Sequence, residues 1–516
     1  MNKKIKVSAN GQTKMYAIFI AVAVILFILT SYYTEFNPIL LIENSEVIWN
    51  FIVEDFLPPK LPKESRIEGV ISSVFVTVTL ALLSTTVAAI IAFFVSLFGS
   101  EKVSPFPKFA KIVRGFATFL RNIPALVWAF ILFSSLGIGT GVGFAALFIT
   151  SFAFMVRAFV ETIEDVSQDC VESLQAVGAT FPQRVAQAIL PSCINGFLTW
   201  YLYCIEVNIR ASTIVGMVGG GGVGLTLFTY IKGFQYDVAL SIIILIAVMV
   251  IVVDRITGIL KKQIESNDKF IPGFMIAIVV ANVISIRYLQ IDWGKIISRI
   301  PRIGEVFVEL AKFDFSKFDL IFDSMLETIS IAVLSLLYSL IFGVIFGMLA
   351  SRNVFRNKWL SIIIQSFFTF LRAVPTVVWV LLMLVCLGMG SEAGVAGLCV
   401  HTTAFFTKVF AQSFESISDE TVEALEVTGT GRLSIFFNAV MPTAFAQVVA
   451  WTGMRLETNF SECATLGMVG AGGIGFIISH HIQGYEYGTA GVAIVFVFLV
   501  AYSIERIFVM VKKKIA

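Results

Sequence analysis

The sequence predicts an all-α polytopic membrane protein, with about twelve transmembrane helices arranged as two parallel six-helix repeats. Three observations predict it. Of 516 residues, 57% are hydrophobic and only 14% charged, whereas a soluble domain runs at roughly 45–50% apolar and about 25% charged. Charge-free runs long enough for the roughly 20 residues a bilayer core demands occur repeatedly. And one segment of the chain returns at a fixed offset. The 37 basic and 35 acidic residues leave a net charge of +2, without the strongly basic footprint of a nucleic-acid binder. Six cysteines stand singly in apolar sequence with no CxxC pairing and read as small hydrophobes.

Taken in order, the first span is Met15 to Tyr33, which Thr34 to Pro38 follow without the small-residue cleavage site of a signal peptide. Gly69 to Ser100, Thr328 to Ser351 and Gly488 to Ile504 are free of charge, and Val238 to Val253 and Phe270 to Ile286 are shorter runs that span if flanking side chains snorkel. Runs holding an isolated charge supply the rest. Lysine and arginine placement sets orientation. Lys3, Lys4, Lys6 and Lys14 precede the first span with no acid among them, while Thr34 to Glu68 holds seven acids against three bases, so the N-terminus is expected inside. Alternation then puts Lys102 to Arg114, Lys261 and Lys262, Arg352 to Lys358 and Lys512 to Lys514 inside too, with both termini cytoplasmic in a multi-pass protein of the cell membrane. The loops Glu161 to Glu172 and Glu415 to Glu426 should also be inside, yet they are acidic.

The repeat is explicit. Thr118 to Trp128, TFLRNIPALVW, returns as Thr369 to Trp379, TFLRAVPTVVW, with seven identities in eleven at an offset of 251. The same offset aligns Ser84 with Ser335, Gly178 with Gly429, Glu206 with Glu457, Asn208 with Asn459 and Arg255 with Arg506. The chain is a tandem duplication, divided as 1–262 and 263–516, with the charged stretch Lys261 to Lys269 as the junction. Six spans per half is an even number, so the halves share one orientation about an axis along the membrane normal, with a pathway between them.

Charges inside spans are costly and face protein or water. Arg121, Arg372, Glu206, Arg210, Arg455, Glu457 and Glu462 are of this kind. Glu206 and Arg210 are spaced for an i,i+4 ion pair, and Arg121 and Arg372 either reach the interface from a helix end or line an anion path. In the second reading the repeat axis sets the two arginines facing each other around one pore, with Asn208, Asn459, Glu206, Arg210 and Glu457 along the path. Gly216, Gly219, Gly222 and Gly224, echoed by Gly467, Gly470, Gly473 and Gly475, formally contain GxGxxG. They follow a membrane span rather than a strand, so close backbone packing or a hinge near the outer mouth is expected instead. No HExxH, GxSxG or GxxxxGK[ST] occurs, and no metal site or catalytic residue is assigned; the chain reads as a transporter, not an enzyme.

The acidic loops carry the sharpest signal. Glu172, Gly178 and Pro191 recur as Glu423, Gly429 and Pro442: a glutamate, a glycine six residues on and a proline thirteen beyond it. Val171, Leu174 and Val177 are spaced for one face of a short helix, the glycine suits a sharp turn, and the proline suits the first position of the next span. The pattern resembles the EAA loop of ATP-binding-cassette (ABC) importer permeases of the type I fold, with Ser173 and Leu174 in place of its first two alanines. Glu172 to Pro191, the following Val207 to Ser212 and the glycine segment are most similar to the phosphonate-type subfamily, two copies of which would be fused here. That resemblance implies import of phosphonate or a related oxyanion such as phosphite or phosphate. It also implies a dimeric ABC ATPase docked on the two loops, an extracytoplasmic substrate-binding protein, and no cofactor in this chain, ATP being used by the separate subunit. The competing reading is a secondary transporter of parallel six-helix repeats, in which Glu206 or Glu457 serves as coupling acid; it has no need of two such loops.

Overall fold

The computed structural model describes residues 9–34, 36–166, 168–267 and 269–515. Lys3, Lys4 and Lys6, and the side chains of Lys512 to Lys514, on which the sequence-based orientation partly rests, lie outside the described residues or side chains. Among the described residues there is no strand, and the core elements of the first half are α1 (Ala9–Thr34), α2 (Glu64–Gly99), α3 (Pro107–Arg121), α4 (Ala125–Leu136), α5 (Thr140–Val166), α6 (Gln168–Ala176), α7 (Leu190–Val215), α8 (Val223–Lys232) and α9 (Tyr236–Ser266). The second half repeats them as α10 (Phe270–Leu289), α11 (Phe318–Ala350), α12 (Lys358–Ala373), α13 (Thr376–Leu387), α14 (Ser391–Glu415), α15 (Asp419–Glu426), α16 (Met441–Leu466), α17 (Ile474–Gln483) and α18 (Tyr487–Ile515).

Ten helices among the described residues are long and apolar enough to cross a bilayer, and two further crossings are broken ones, α3 with α4 and α12 with α13, each bent by 87°. The third crossing of each half is therefore an elbow rather than a straight helix. Its cause is in the repeated motif. Pro124 and Pro375 disfavour helix at the residue before them and have no N–H to give the carbonyls of Leu120 and Leu371 four residues back. The indole N–H of Trp128 donates to Leu120 O at 3.3 Å and that of Trp379 to Leu371 O at 3.1 Å. The repeated spacing of leucine, proline and tryptophan is thus a break together with the donor that satisfies it.

The elbow still crosses. Helices α2 and α5 run in the same direction, because Arg114 Nε donates to Gly99 O at 2.8 Å and Glu164 accepts from Ser100 and the Glu101 amide at 3.1 and 2.9 Å at one end. At the other end Gly143 lies against Leu80. The chain between them must return from one end to the other. Glu415 accepts from the Arg352 amide at 3.0 Å in the second half, at positions related to Glu164 and Glu101 by the same offset. Six crossings per half keep the repeats parallel. Helix α3 lies across the bundle with Phe109, Ile112 and Phe116 outward and Ala110, Val113 and Ala117 buried, as an amphipathic helix at a membrane boundary does.

The leading spans are exchanged between halves. Helix α1 packs on α11, with Phe27 edge-on to Tyr338 at 5.7 Å and Tyr33 donating to Asp323 O at 3.1 Å. Helix α10 packs on α2, where Asn282 Nδ2 donates to Thr86 at 2.9 Å and Tyr288 meets Ser72 at 2.9 Å. Each sequence repeat therefore contributes its first span to the lateral wall of the other.

Candidate functional site

Both acidic loops build the same shape. Helix α6 ends at Ala176, Gly178 turns with φ +81°, and a short helix over Phe181–Arg184 starts under a reciprocal Thr180 and Gln183 capping box. In the second loop α15 ends at Glu426 and Gly429 turns with φ +79° before Arg432–Ile435. A Cβ on either glycine would meet nothing within 4 Å, so the requirement there is the backbone angle alone. One expectation is corrected. Val171 is buried and Leu174 partly so, but Val177 lies beyond the helix end and is 78% exposed, as Val427 is at 88% in the other loop. Pro191 and Pro442 stand in the first turn of α7 and α16, as expected, and wide π turns at Val185–Ile189 and Phe436–Val440 lead into them without a break. The wide turn falls where proline has removed an N–H from the i to i−4 ladder. Glu423 and Glu426 both pair with Arg356, at 3.3 and 3.1 Å. Glu172 is exposed on the first loop.

The glycine segments turn α7 into α8 and α16 into α17. Gly219 and Gly470 have φ +102° and +114°, and Gly222 and Gly473 have φ +77° and +75° with their Cα faces toward Thr77 and Thr328. Those hydroxyls accept from the Val223 and Ile474 amides, each at 2.8 Å, capping α8 and α17 from α2 and α11. Side chains on Gly216, Gly224, Gly467 or Gly475 would overlap backbone atoms of Gly221, Thr213, Gly472 and Ala464 respectively. Here backbone packs on backbone.

The ionisable residues fall into two related sets, each shared between halves. Arg121, the last residue of α3, meets Glu505 at 2.8 Å and Glu457 at 3.8 Å, both of the second half, and Arg157 joins Glu505 at 2.8 Å and Glu161 at 3.0 Å. Arg372, at the matching elbow, faces Asp254 of the first half at 3.9 Å. Asp254 also lies 3.6 Å from Arg210, which pairs with Glu206 at 3.2 Å as the i,i+4 spacing predicts, and Lys261 approaches Glu206 at 3.6 Å. Arg121 and Arg372 thus each reach across to carboxylates of the opposite half, Glu505 and Asp254 on that half's sixth crossing.

Asn208 and Asn459 sit apart from these sets. Asn208 is 3% exposed and its amide donates to Thr85 and Ser151 at 2.7 and 2.6 Å, while Asn459 donates to Ser335 at 3.3 Å and accepts from Thr402 at 3.0 Å. Each locks three helices of its own half. Next to Asn459, Arg455 pairs with Glu462 at 3.2 Å and contacts His401 Nδ1 at 3.0 Å. Sequence reasoning missed Arg157, Lys408, Asp254 and Glu505 as partners. The signal was present: at the offset of 251, Arg157 matches Lys408 and Asp254 matches Glu505, so charge sign is kept inside otherwise apolar spans.

Two parallel six-crossing repeats, twin exposed loops and charge sets shared across their boundary define a transport permease with both halves in one chain. The chain belongs to the family of binding-protein-dependent transport system inner membrane components, whose model matches residues 85–266 and 343–516. It is 27% identical over 491 residues to the phosphate-import permease protein PhnE of Mycolicibacterium smegmatis, covering 93% of this chain and 91% of that one. It is 32% identical over 189 residues to the phosphite transport system permease protein PtxC of Stutzerimonas stutzeri, covering 37% of this chain and 69% of that one. The two family matches fall on the two copies of the internal repeat in turn.

Proposed function

We propose that this permease imports a phosphorus oxyanion, phosphonate, phosphite or phosphate, with a dimeric ABC ATPase seated on its two acidic loops and an extracytoplasmic binding protein delivering the anion. The observation that carries this reading is the pairing of two matched loops with arginines set among apolar helices and paired across the boundary between the halves. Each loop presents an exposed valine beside a left-handed glycine turn, which is an unusual display for a free loop and an apt one for a docking surface. The substrate class is drawn from the relatives' names and from the arginines, whose planar, weakly hydrated guanidinium suits a multidentate oxyanion better than lysine does.

In this reading the loops face the cytoplasm, and both termini with them. The end of the molecule bearing the loops also bears Lys102, Lys108 and Lys111 beside Gly99, and Arg352, Arg356 and Lys358 beside Ala350, in accord with the positive-inside rule. Arg121, Arg372, Glu206, Arg210 and Glu457 line or gate the path, with the carboxylates keeping the anion from being held too tightly. The glycine turns fix the outer end, where α8 and α17 dip back into the bundle. Asn208 and Asn459 hold the helices that carry the path. The test is uptake of radiolabelled phosphate, phosphite and methylphosphonate by proteoliposomes holding the chain, its ATPase and its binding protein. ATP-dependent uptake of one of these anions supports the proposal. Uptake without ATPase, driven by a proton gradient, would replace it with the secondary-transporter reading.

A further inference from the structure

The two charge sets occupy the same six positions of the repeat yet differ in sign. Around Arg121 the six are Arg121, Arg157, Glu161, Glu457, Ser461 and Glu505, two cations against three carboxylates. Around Arg372 they are Arg372, Lys408, Gln412, Glu206, Arg210 and Asp254, three cations against two carboxylates. Lys261 adds a further cation to the second set; its counterpart Lys512 has an undescribed side chain and is left out of the comparison. The pairing differs as well. In the first set both arginines close on Glu505 at 2.8 Å, whereas in the second Arg372 stays 3.9 Å and Arg210 3.6 Å from Asp254.

Lys408 is the clearest mark of the difference. It is half-buried on α14 within electrostatic reach of Arg372, Asp254, Glu206 and Arg210, and among the described residues no hydrogen-bond or ion-pair partner holds it. The neighbouring Arg455 adds nothing to the surplus, because Glu462 neutralises it at 3.2 Å. An excess cation inside a membrane protein is costly unless something compensates it, and an anion is what this set lacks.

We infer that Arg372 and Lys408 of the second half, with Arg210 of the first, form a single off-axis site for a phosphorus oxyanion in transit, while the set around Arg121, with a carboxylate in surplus, ties the halves together and flanks the path without holding the anion. The assignment rests on the function proposed above and adds to it that the two halves are unequal: one anion site, not two. Asp254 and Glu206 hold the guanidiniums when the site is empty and re-form those contacts when the anion leaves, which keeps occupancy reversible.

The test uses the full chain purified in detergent, with inorganic phosphate as probe against chloride at matched ionic strength, reading the thermal unfolding midpoint. Wild type should be stabilised by phosphate in a saturable way. Lys408→Gln and Arg210→Ser, the latter placing the residue of the other half, should need about ten-fold more phosphate for the same effect, the loss expected for one charge-assisted contact. Lys408→Arg, again the other half's residue, should keep the wild-type dependence, which separates lost charge from a misfolded variant. Arg157→Gln should lower the midpoint without moving the phosphate dependence. Unchanged phosphate dependence in both Lys408→Gln and Arg210→Ser, or an equal loss in Arg157→Gln, overturns the site. If those variants also take up phosphate at the wild-type rate in proteoliposomes, the site falls and the importer stands. If wild type takes up no phosphorus oxyanion at all, the substrate assignment falls and the site with it.

Discussion

Replacing Gly178 or Gly429 isolates a backbone angle from everything else in the coupling loops. Both sit at φ near +80° with no atom within 4 Å of where a Cβ would stand, so a side chain meets no steric obstacle. Its cost is conformational. An L-residue in the left-handed region is destabilised by about 1–2 kcal/mol relative to its ordinary basins, which lowers the population of the turn by a factor of about 5–30. Asparagine tolerates this region best of the non-glycine residues, and β-branched valine worst. The expected order of coupling is therefore Gly, Asn, Ala, Val at either position. The loops are exposed and pack few core side chains, so the thermal midpoint of the solubilised chain should move little across the series. The assay is ATP hydrolysis by the reconstituted complex, stimulated by loaded binding protein. Equal stimulation in Gly178→Val, Gly429→Val and the asparagine variants would refute the reasoning. A fall in thermal midpoint parallel to the fall in stimulation would show that the glycines serve the fold rather than the turn.

Thr77→Val and Thr328→Val each remove the acceptor for a buried amide at 2.8 Å and should each cost about 1–3 kcal/mol, additive in the double variant because the sites lie in different halves; unfolding midpoints of the three variants decide this. Glu505→Gln leaves both Arg121 and Arg157 short of their shared carboxylate and should destabilise the chain by about 1–3 kcal/mol. A double-mutant cycle with Arg121→Gln should show strong non-additivity, and strict additivity would mean the tie is not formed. In a background with the exposed Cys170 replaced by serine, single cysteines at Asn10, Glu172, Asn267, Glu423 and Lys513 should be shielded from an impermeant thiol reagent in intact cells, while those at Glu46 and Lys312 react. Labelling of Glu172 and Glu423 positions from outside would invert the orientation.

The number of crossings, the duplication and the loop motif were legible in the sequence because they are local or periodic properties: hydropathy over about 20 residues, an offset of 251, a glycine at a fixed distance from a glutamate. The fate of the third crossing was half legible. Pro124 marks a break, but the angle of the break and the role of Trp128 as donor to Leu120 O depend on where the next helix goes. Helical spacing groups Val177 with Val171 and Leu174, but spacing says nothing about where a helix stops, and α6 stops at Ala176.

What the sequence by itself determined was therefore the class: a membrane chain of two parallel repeats with matched acidic loops and arginines at equivalent places. Only the tertiary structure decided whom those arginines meet. Periodicity places a residue on a face of its own helix, but a charge pair across the boundary between halves depends on the elbow angle and on the exchange of leading spans, neither of which leaves a period in the chain. The same offset that made the two halves look alike also hid their difference, since Arg372 and Arg121 are identical letters. One finds Glu505 shared between two arginines, and the other finds Asp254 at a looser distance, Arg210 beside it and Lys408 without a partner among the described residues. Charge balance in a low-dielectric interior is a property of the assembled set, and it exists only once both halves are in place.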